Sequence, residues 1–200
     1  MKIKVCGMKF RENIESVCAL SPDFIGFIFW EKSLRHFQGP TPEIPKAIKK
    51  VGVFVDATES EILEKAAHYG LDLVQLHGAE SPMFCASIRK SGLGLIKAFA
   101  LDRDFDFSIL EDFEPYCDFF LFDTKGKLPG GNGIAFDWEL LRKYDGPKPI
   151  FLSGGIAPES ASALKNLGIP ILAADINSQF EIAPGLKNVE AIKQFKYALK

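Results

Sequence analysis

Several residues with chemical potential stand at one kind of place in the 200-residue sequence. Each closes or closely follows a short run of apolar, β-favouring residues. Cys6 follows Ile3-Lys4-Val5, Asp56 follows Val51–Val55, and Gln75 and His77 end Leu73–His77. Asp123 ends Phe119–Asp123, Ser153-Gly154-Gly155 closes the run from Pro149, Asp175 ends the run from Ile171, and Arg35 lies beyond Phe24–Phe29. Singly, each has a plain reading. Cys6 reads as a small buried hydrophobe or a reactive thiol, Asp56 as a helix-initiating turn residue, and His77 as a hydrogen-bonded structural residue or a ligand. Asp123 says more, because a carboxylate after four apolar residues must be solvated at a rim or paired. The glycines of Ser153-Gly154-Gly155 let backbone N–H groups approach a phosphate without a Cβ clash. His36, His68 and His77 have no metal-ligand spacing, so no metal is expected. No GxSxG elbow, Walker loop or GxGxxG occurs.

The runs that would position these residues recur every 20 to 30 positions or so, the size of a βα unit. There are eight: Ile3–Cys6, Phe24–Phe29, Val51–Val55, Leu73–His77, Leu95–Phe99, Phe119–Asp123, Pro149–Ser153 and Ile171–Asp175. Most are continuous rather than alternating, as in parallel strands buried on both faces. Helical segments lie between them. Thr58-Glu59-Ser60-Glu61 opens one with Thr58 or a neighbour as N-cap, and Ser81-Pro82 opens another with Pro at the first position and Gly92 after its end. Pro158-Glu159-Ser160 opens Ala161–Leu167, and a last helix is expected from about Val189 to Ala198. Weaker helical patterns cover Phe107–Phe113 and Asp137–Tyr144.

Strands alternating with helices predict an α/β fold, and eight units predict a closed (βα)8 TIM barrel as a single domain over residues 1–200. The Gly/Pro-rich stretch Gly126–Gly133 reads as a long βα loop. In such a barrel functional groups gather at the strand C-terminal ends, and the loops after strands 7 and 8 are the usual phosphate site. Those loops are Ser153–Pro158 and Asp175–Glu181, which points to Gly154, Gly155, Asn177 and Ser178 as phosphate-binding.

A formal net charge of −2 lacks the basic excess that nucleic acid requires. No apolar stretch approaches a membrane span, no signal peptide is evident, and the four cysteines lack CxxC spacing. Cys18, Cys85 and Cys117 read as core filler. A cytoplasmic setting is expected, with a small phosphorylated molecule as partner and neither nucleic acid nor membrane. A monomer is expected, with a dimer left open.

Read together, these motifs resemble the phosphoribosylanthranilate isomerase family of tryptophan biosynthesis. The resemblance rests on Lys4-Val5-Cys6-Gly7-Met8, Ser33-Leu34-Arg35, Val53-Phe54-Val55-Asp56, Val74-Gln75-Leu76-His77-Gly78 and Phe122-Asp123. It continues through Gly130-Gly131-Asn132-Gly133, Phe136-Asp137-Trp138, Leu152-Ser153-Gly154-Gly155-Ile156, Asp175-Ile176-Asn177-Ser178 and Pro184-Gly185-Leu186-Lys187. It implies an Amadori rearrangement of N-(5-phosphoribosyl)anthranilate, with Cys6 as general base and Asp123 as general acid. Arg35 would meet the anthranilate carboxylate, and Gln75, His77 and Asp175 would also face substrate. No cofactor is implied, since the imine formed in the substrate is its own electron sink. The base must be a thiolate near neutrality, below the ordinary thiol value of about 8.5.

Three positions depart from the family pattern: Leu34 stands for Pro, Gln179 for Gly, and Asn188 for Asp. A backbone of negative φ is expected at Gln179, whose N–H can then still serve. Rival readings are a sugar-phosphate epimerase, an indole-glycerol-phosphate lyase, and a barrel without activity serving as a scaffold.

Overall fold

Each of the eight apolar runs forms a parallel strand in the computed structural model, which describes residues 1–124 and 138–200. They are β1 (Lys2–Val5), β2 (Phe24–Ile28), β3 (Lys49–Phe54), β4 (Leu73–Leu76), β5 (Gly94–Leu101), β6 (Phe119–Thr124), β7 (Ile150–Ser153) and β8 (Ile171–Ile176). They pair in chain order, and β1 returns to β8 to close a barrel. At that seam Lys4 is in register with Asp175 and Val5 with Ile176.

Side chains alternate between the two faces of each strand. Phe24, Val51, Leu73, Ile96, Ala98, Leu121, Phe151 and Ala173 pack together inside the barrel. The intervening residues, among them Ile3, Val5, Ile25, Phe27, Phe120, Phe122 and Ala174, join the larger core beneath the helices. The continuous apolar runs therefore supply two cores at once.

The helices are α1 (Arg11–Ala19), α2 (Glu59–Tyr69), α3 (Pro82–Arg89), α4 (Ala161–Asn166) and α5 (Val189–Leu199). Those that begin at a strong signal stand where they were expected. The Thr58 hydroxyl accepts the Glu61 N–H while the Glu61 carboxylate accepts the Thr58 N–H, a reciprocal cap on α2. Ser81 caps α3 with Pro82 at its first turn, and Asn188 caps α5. The strict strand–helix alternation does not hold. Residues 29–48, between β2 and β3, carry no helix, because Pro40, Pro42 and Pro45 stand too close together for one. The two weak patterns form 3-10 helices at Phe107–Asp112 and Trp138–Lys143 instead of α-helices. The Gly126–Gly133 loop, the motifs at Gly130–Gly133 and Phe136-Asp137, and the helix start read at Asp137 lie outside the described residues.

After β8 a 3-10 turn at Ser178–Phe180 leads into an antiparallel pair, β9 (Glu181–Ala183) and β10 (Leu186–Lys187). Asn13 of α1 clamps this hairpin: its amide donates to the Lys187 carbonyl and its oxygen accepts the Lys187 N–H, at 2.9 and 2.8 Å. All four cysteines are buried and unbridged. Among the described residues no helix is long and apolar enough to cross a membrane.

The α2 cap supports the loop after β3. Thr58→Ala is expected to lower unfolding free energy by about 1 kcal/mol, read as a reduced urea midpoint with unchanged slope.

Candidate active site

The alternation that fills the barrel floor with apolar groups also decides what reaches its upper end. On β1 the inner face carries Lys4 and then Cys6, whose N–H continues the ladder by donating to the Ile176 carbonyl at 2.9 Å. On β4 it carries Gln75 and His77, the His77 N–H donating to the Phe54 carbonyl at 2.8 Å. On β6 it carries Asp123, in register with Ser153 of β7, and on β8 Asp175. Cys6, Gln75, His77, Asp123 and Asp175 are thus gathered on the inner face at the C-terminal ends of their strands.

Three polar constellations result. The Lys4 ammonium, fully buried, donates to both Asp175 oxygens at 2.9 Å. That pairing holds the ammonium charged against the pull of burial. Cys6 lies directly above it, and Gly26 of β2 makes the room: a Cβ there would stand 2.9 Å from the thiol sulfur. Burial pushes the Cys6 thiol up, Lys4 and Lys187 pull it down, and burial wins. This is the opposite of the lowered thiol that the base role implied by the resemblance would require, because a sulfur so deeply enclosed forgoes more hydration as a thiolate than two cations return.

The second constellation is a chain, Gln75–His77–Asp123. The Gln75 amide nitrogen lies 2.8 Å from His77 Nδ1, and His77 Nε2 lies 3.3 Å from an Asp123 oxygen. If the Gln75 amide nitrogen donates to Nδ1, the imidazole proton stands on Nε2, facing Oδ2 of Asp123. Buried Gln75 Oε1 has no partner among the described residues.

The third constellation was not foreseen. Glu181 receives Nε and Nη2 of Arg35 at 2.6–3.0 Å, the Lys187 ammonium at 2.7 Å and the Gly185 N–H at 3.0 Å. These donors outweigh burial and hold the Glu181 carboxyl below its ordinary value of 4.5. Lys187 also reaches the Asn177 side chain at 2.7 Å. Gly7, at φ +72°, is where the loops converge: a Cβ there would lie 2.7 Å from the Asn177 oxygen and 2.8 Å from Arg35 Cδ. The Arg35 hydrogen bonds to Glu181 run through Nε and Nη2, so the guanidinium is oriented along that edge.

Gly154 and Gly155 both adopt positive φ, +82° and +66°. Gln179 does not, so the expected negative φ is found there, inside the Ser178–Phe180 turn. Leu34 is exposed on its own loop. Asp56 is corrected: it starts no helix, since Thr58 does so. Its backbone is left-handed, at φ +51°, and its carboxylate accepts the Ala79 N–H at 2.7 Å, tying the loops after β3 and β4. Glu80 reinforces that tie, accepting N–H groups of Asp56 and Gly78 and pairing with buried Lys97 at 3.1 Å. A cavity of about 390 Å³ between Arg89, Leu93, Asp118 and Phe119 lies at the opposite end, where β5 and β6 begin, away from these groups.

A family model described as N-(5'phosphoribosyl)anthranilate (PRA) isomerase matches residues 3–197. The chain belongs to this isomerase family. An N-(5'-phosphoribosyl)anthranilate isomerase of Parabacteroides distasonis is 47% identical, over 98% of this chain and 91% of that one. The phosphoribosyl anthranilate isomerase structure from Thermotoga maritima superposes with a TM-score of 0.84 at 31% identity, covering 100% of this chain and 98% of that one. Another solved phosphoribosyl anthranilate isomerase, 30% identical with a TM-score of 0.82 over 100% of this chain and 98% of that one, holds reduced 1-(o-carboxyphenylamino)-1-deoxyribulose 5-phosphate. The barrel fold of the family is thus the fold found here.

Sequence reasoning missed Lys4, Glu80, Lys97, Glu181 and Lys187. For two of them a signal was present: Lys4 and Lys97 each interrupt an apolar strand run, where a lysine must find a partner.

Glu181 makes a pH test of the third constellation. A carboxyl depressed by folding contributes stability that is present above its unfolded value and lost as pH falls through its folded one. Acidification from about pH 5 to about pH 3 should therefore destabilise the wild-type chain more than Glu181→Gln, in urea titrations at each pH. Equal slopes would remove Glu181 from the ion cluster.

Proposed function

We propose that this chain isomerises N-(5'-phosphoribosyl)anthranilate in tryptophan biosynthesis, by an Amadori rearrangement with Asp123 as general acid and Cys6 as general base. The observation carrying the reading is the convergence of a thiol and a carboxylate on the inner face at the C-terminal end of one barrel, in a chain of this isomerase family. The substrate would be a small phosphorylated molecule, like the ligand held by the solved relative.

The chemistry divides between the two groups. Asp123 delivers a proton to the furanose oxygen, the C1′–O bond breaks, and the anthranilate nitrogen's electron pair forms the C1′ imine. Cys6 as thiolate takes the C2′ proton, and the electrons flow into that imine to give the enolamine. Tautomerisation of the enolamine to the ketose completes an isomerisation that consumes no external electrons. His77, with Nε2–H on Asp123, holds the acid in place. Arg35, braced by Glu181 along Nε and Nη2, offers its Nη1 edge to the anthranilate carboxylate. Asp175 acts from beneath, through Lys4, and Gln75 acts through its amide on His77 Nδ1. Backbone N–H groups around Gly154, Gly155, Asn177 and Ser178 would receive the phosphate, the two positive-φ glycines letting it approach.

The test follows loss of the substrate's fluorescence on turnover. Cys6→Ser and Asp123→Asn are each expected to lower kcat at least about 100-fold with much smaller changes in substrate binding. Near-full turnover in either variant would reject that residue's role, and an inactive wild-type chain would favour the scaffold reading.

Gln179 supplies an independent check. Its negative φ means that no glycine is needed there, so Gln179→Gly should change KM by no more than about threefold, under 1 kcal/mol. Substrate binding about tenfold tighter in the variant would reveal a phosphate loop impaired by glutamine.

A further inference from the structure

The proposed reaction asks for a thiolate at a position the fold largely dehydrates. Cys6 is buried, with Gly26 against its sulfur and no room for a water shell on that side. An anion there needs a counter-charge that is itself permanently charged and fixed. One lies two residues back on the same strand face. Lys4 is wholly buried, and its ammonium is held by two 2.9 Å hydrogen bonds to Asp175, its register partner on β8. Cys6 stands one inward step above that ammonium, on the same face of β1.

The charged groups facing Cys6 among the described residues are few. They are Lys4 on its own strand, Asp175 on β8 and Lys187 on β10. Gly26 on β2 brings no charge. Asp175 opposes the thiolate, and Lys187 is committed to Glu181 at 2.7 Å and to Asn177. Lys4 is thus the cation positioned to act on the sulfur, and Asp175 keeps it charged and aimed.

We propose that Lys4 is the positioning residue of the Cys6 base: its ammonium, clamped by Asp175, favours the thiolate by its fixed charge from beneath. The inference rests on the reading of Cys6 as base for its catalytic consequence, but not for its electrostatic content. A buried cation within reach of a sulfur favours the thiolate whatever the sulfur then does. It also explains why a strand that should be uniformly apolar carries a lysine at an inward position.

Lys4→Met tests it, with Lys4→Met/Asp175→Asn as a partner variant that leaves no unpaired buried charge. Replacing a buried ion pair by groups of similar volume is commonly tolerated. Iodoacetamide labelling of Cys6 is followed against pH by mass spectrometry of its own peptide, so the other three cysteines do not contribute. The labelling midpoint is expected to rise by at least one pH unit in Lys4→Met, and to rise by less in the double variant, where an opposing anion is lost as well. A merely structural role gives the opposite sign, since a loosened barrel admits water and lowers a thiol raised by burial. An unchanged or lowered midpoint in both variants overturns the proposal. The acid limb of kcat/KM should move upward with the labelling midpoint in Lys4→Met. If labelling shifts and the rate profile does not, Cys6 is not the base and the proposed mechanism fails, while the hold of Lys4 on the sulfur stands.

Discussion

A residue on a closed barrel strand faces either the enclosed interior or the surrounding helices, and the choice alternates along the chain. The lower interior is sealed by Phe24, Val51, Leu73, Ile96, Leu121, Phe151 and Ala173, and Phe24 and Phe151 meet edge to face at 5.1 Å. Water is thereby excluded, so whatever stands on the next inward positions is dehydrated or paired. Lys4 and Asp175 meet that demand together at the β1–β8 seam. Removing one partner would strand the other, at about 3–5 kcal/mol for a buried pair. The same dryness governs Cys6, one inward step higher. The ion pair therefore does two things that cannot be separated: it makes a charged barrel interior tolerable, and it fixes the electrostatics beneath the thiol.

The cluster built on Glu181 obeys the same rule at the rim. Arg35 comes from the loop after β2, Lys187 from β10 and Asn177 from the end of β8, so no local segment could assemble it. It depends on the β9–β10 hairpin lying against α1, where Asn13 pairs both backbone groups of Lys187. Gly7 and Gly185, both at positive φ, are the points where the chain passes too close for a side chain: to Arg35 and Asn177 in one case, to Lys9 in the other. Segments on both sides of the barrel closure are thus bound by one carboxylate, which orients the Arg35 guanidinium along Nε and Nη2.

The parts of this arrangement that could be read from sequence are those encoded within a few residues. The eight strands were legible because burial on both faces leaves an unbroken apolar run. The starts of α2, α3 and α5 were legible because Thr58, Ser81 and Asn188 satisfy orphan N–H groups of the first turn through local side chains. Helix α1 was not singled out, since its N-cap is Phe10, which makes no side-chain cap. Cys6, Asp123 and the glycines after β7 were visible because their types break the composition at strand ends. Their charged supports were not, because Lys4 meets Asp175 across 171 residues and Arg35 meets Glu181 across 146. The direction of the thiol's shift was likewise invisible, since it turns on the balance of dehydration against two cations brought in by tertiary structure.

That balance bears on the proposed chemistry in a particular way. A thiol raised by burial is scarcer as thiolate at neutral pH, yet each thiolate formed is the stronger base toward a carbon acid. Complete exposure would supply about a few per cent of thiolate at neutral pH, of lower basicity, and burial without a cation would supply almost none. A buried sulfur above a fixed ammonium stands between the two. Substrate can move it further without any change in the protein: an imine nitrogen bearing positive charge would be a new cation above the sulfur, as Lys4 is below it. On the proposed reading, the acid step generates that charge before the base is called on, so ring opening at Asp123 itself favours the thiolate at Cys6. The two groups need not contact each other to act in order, because the charge on the substrate couples them.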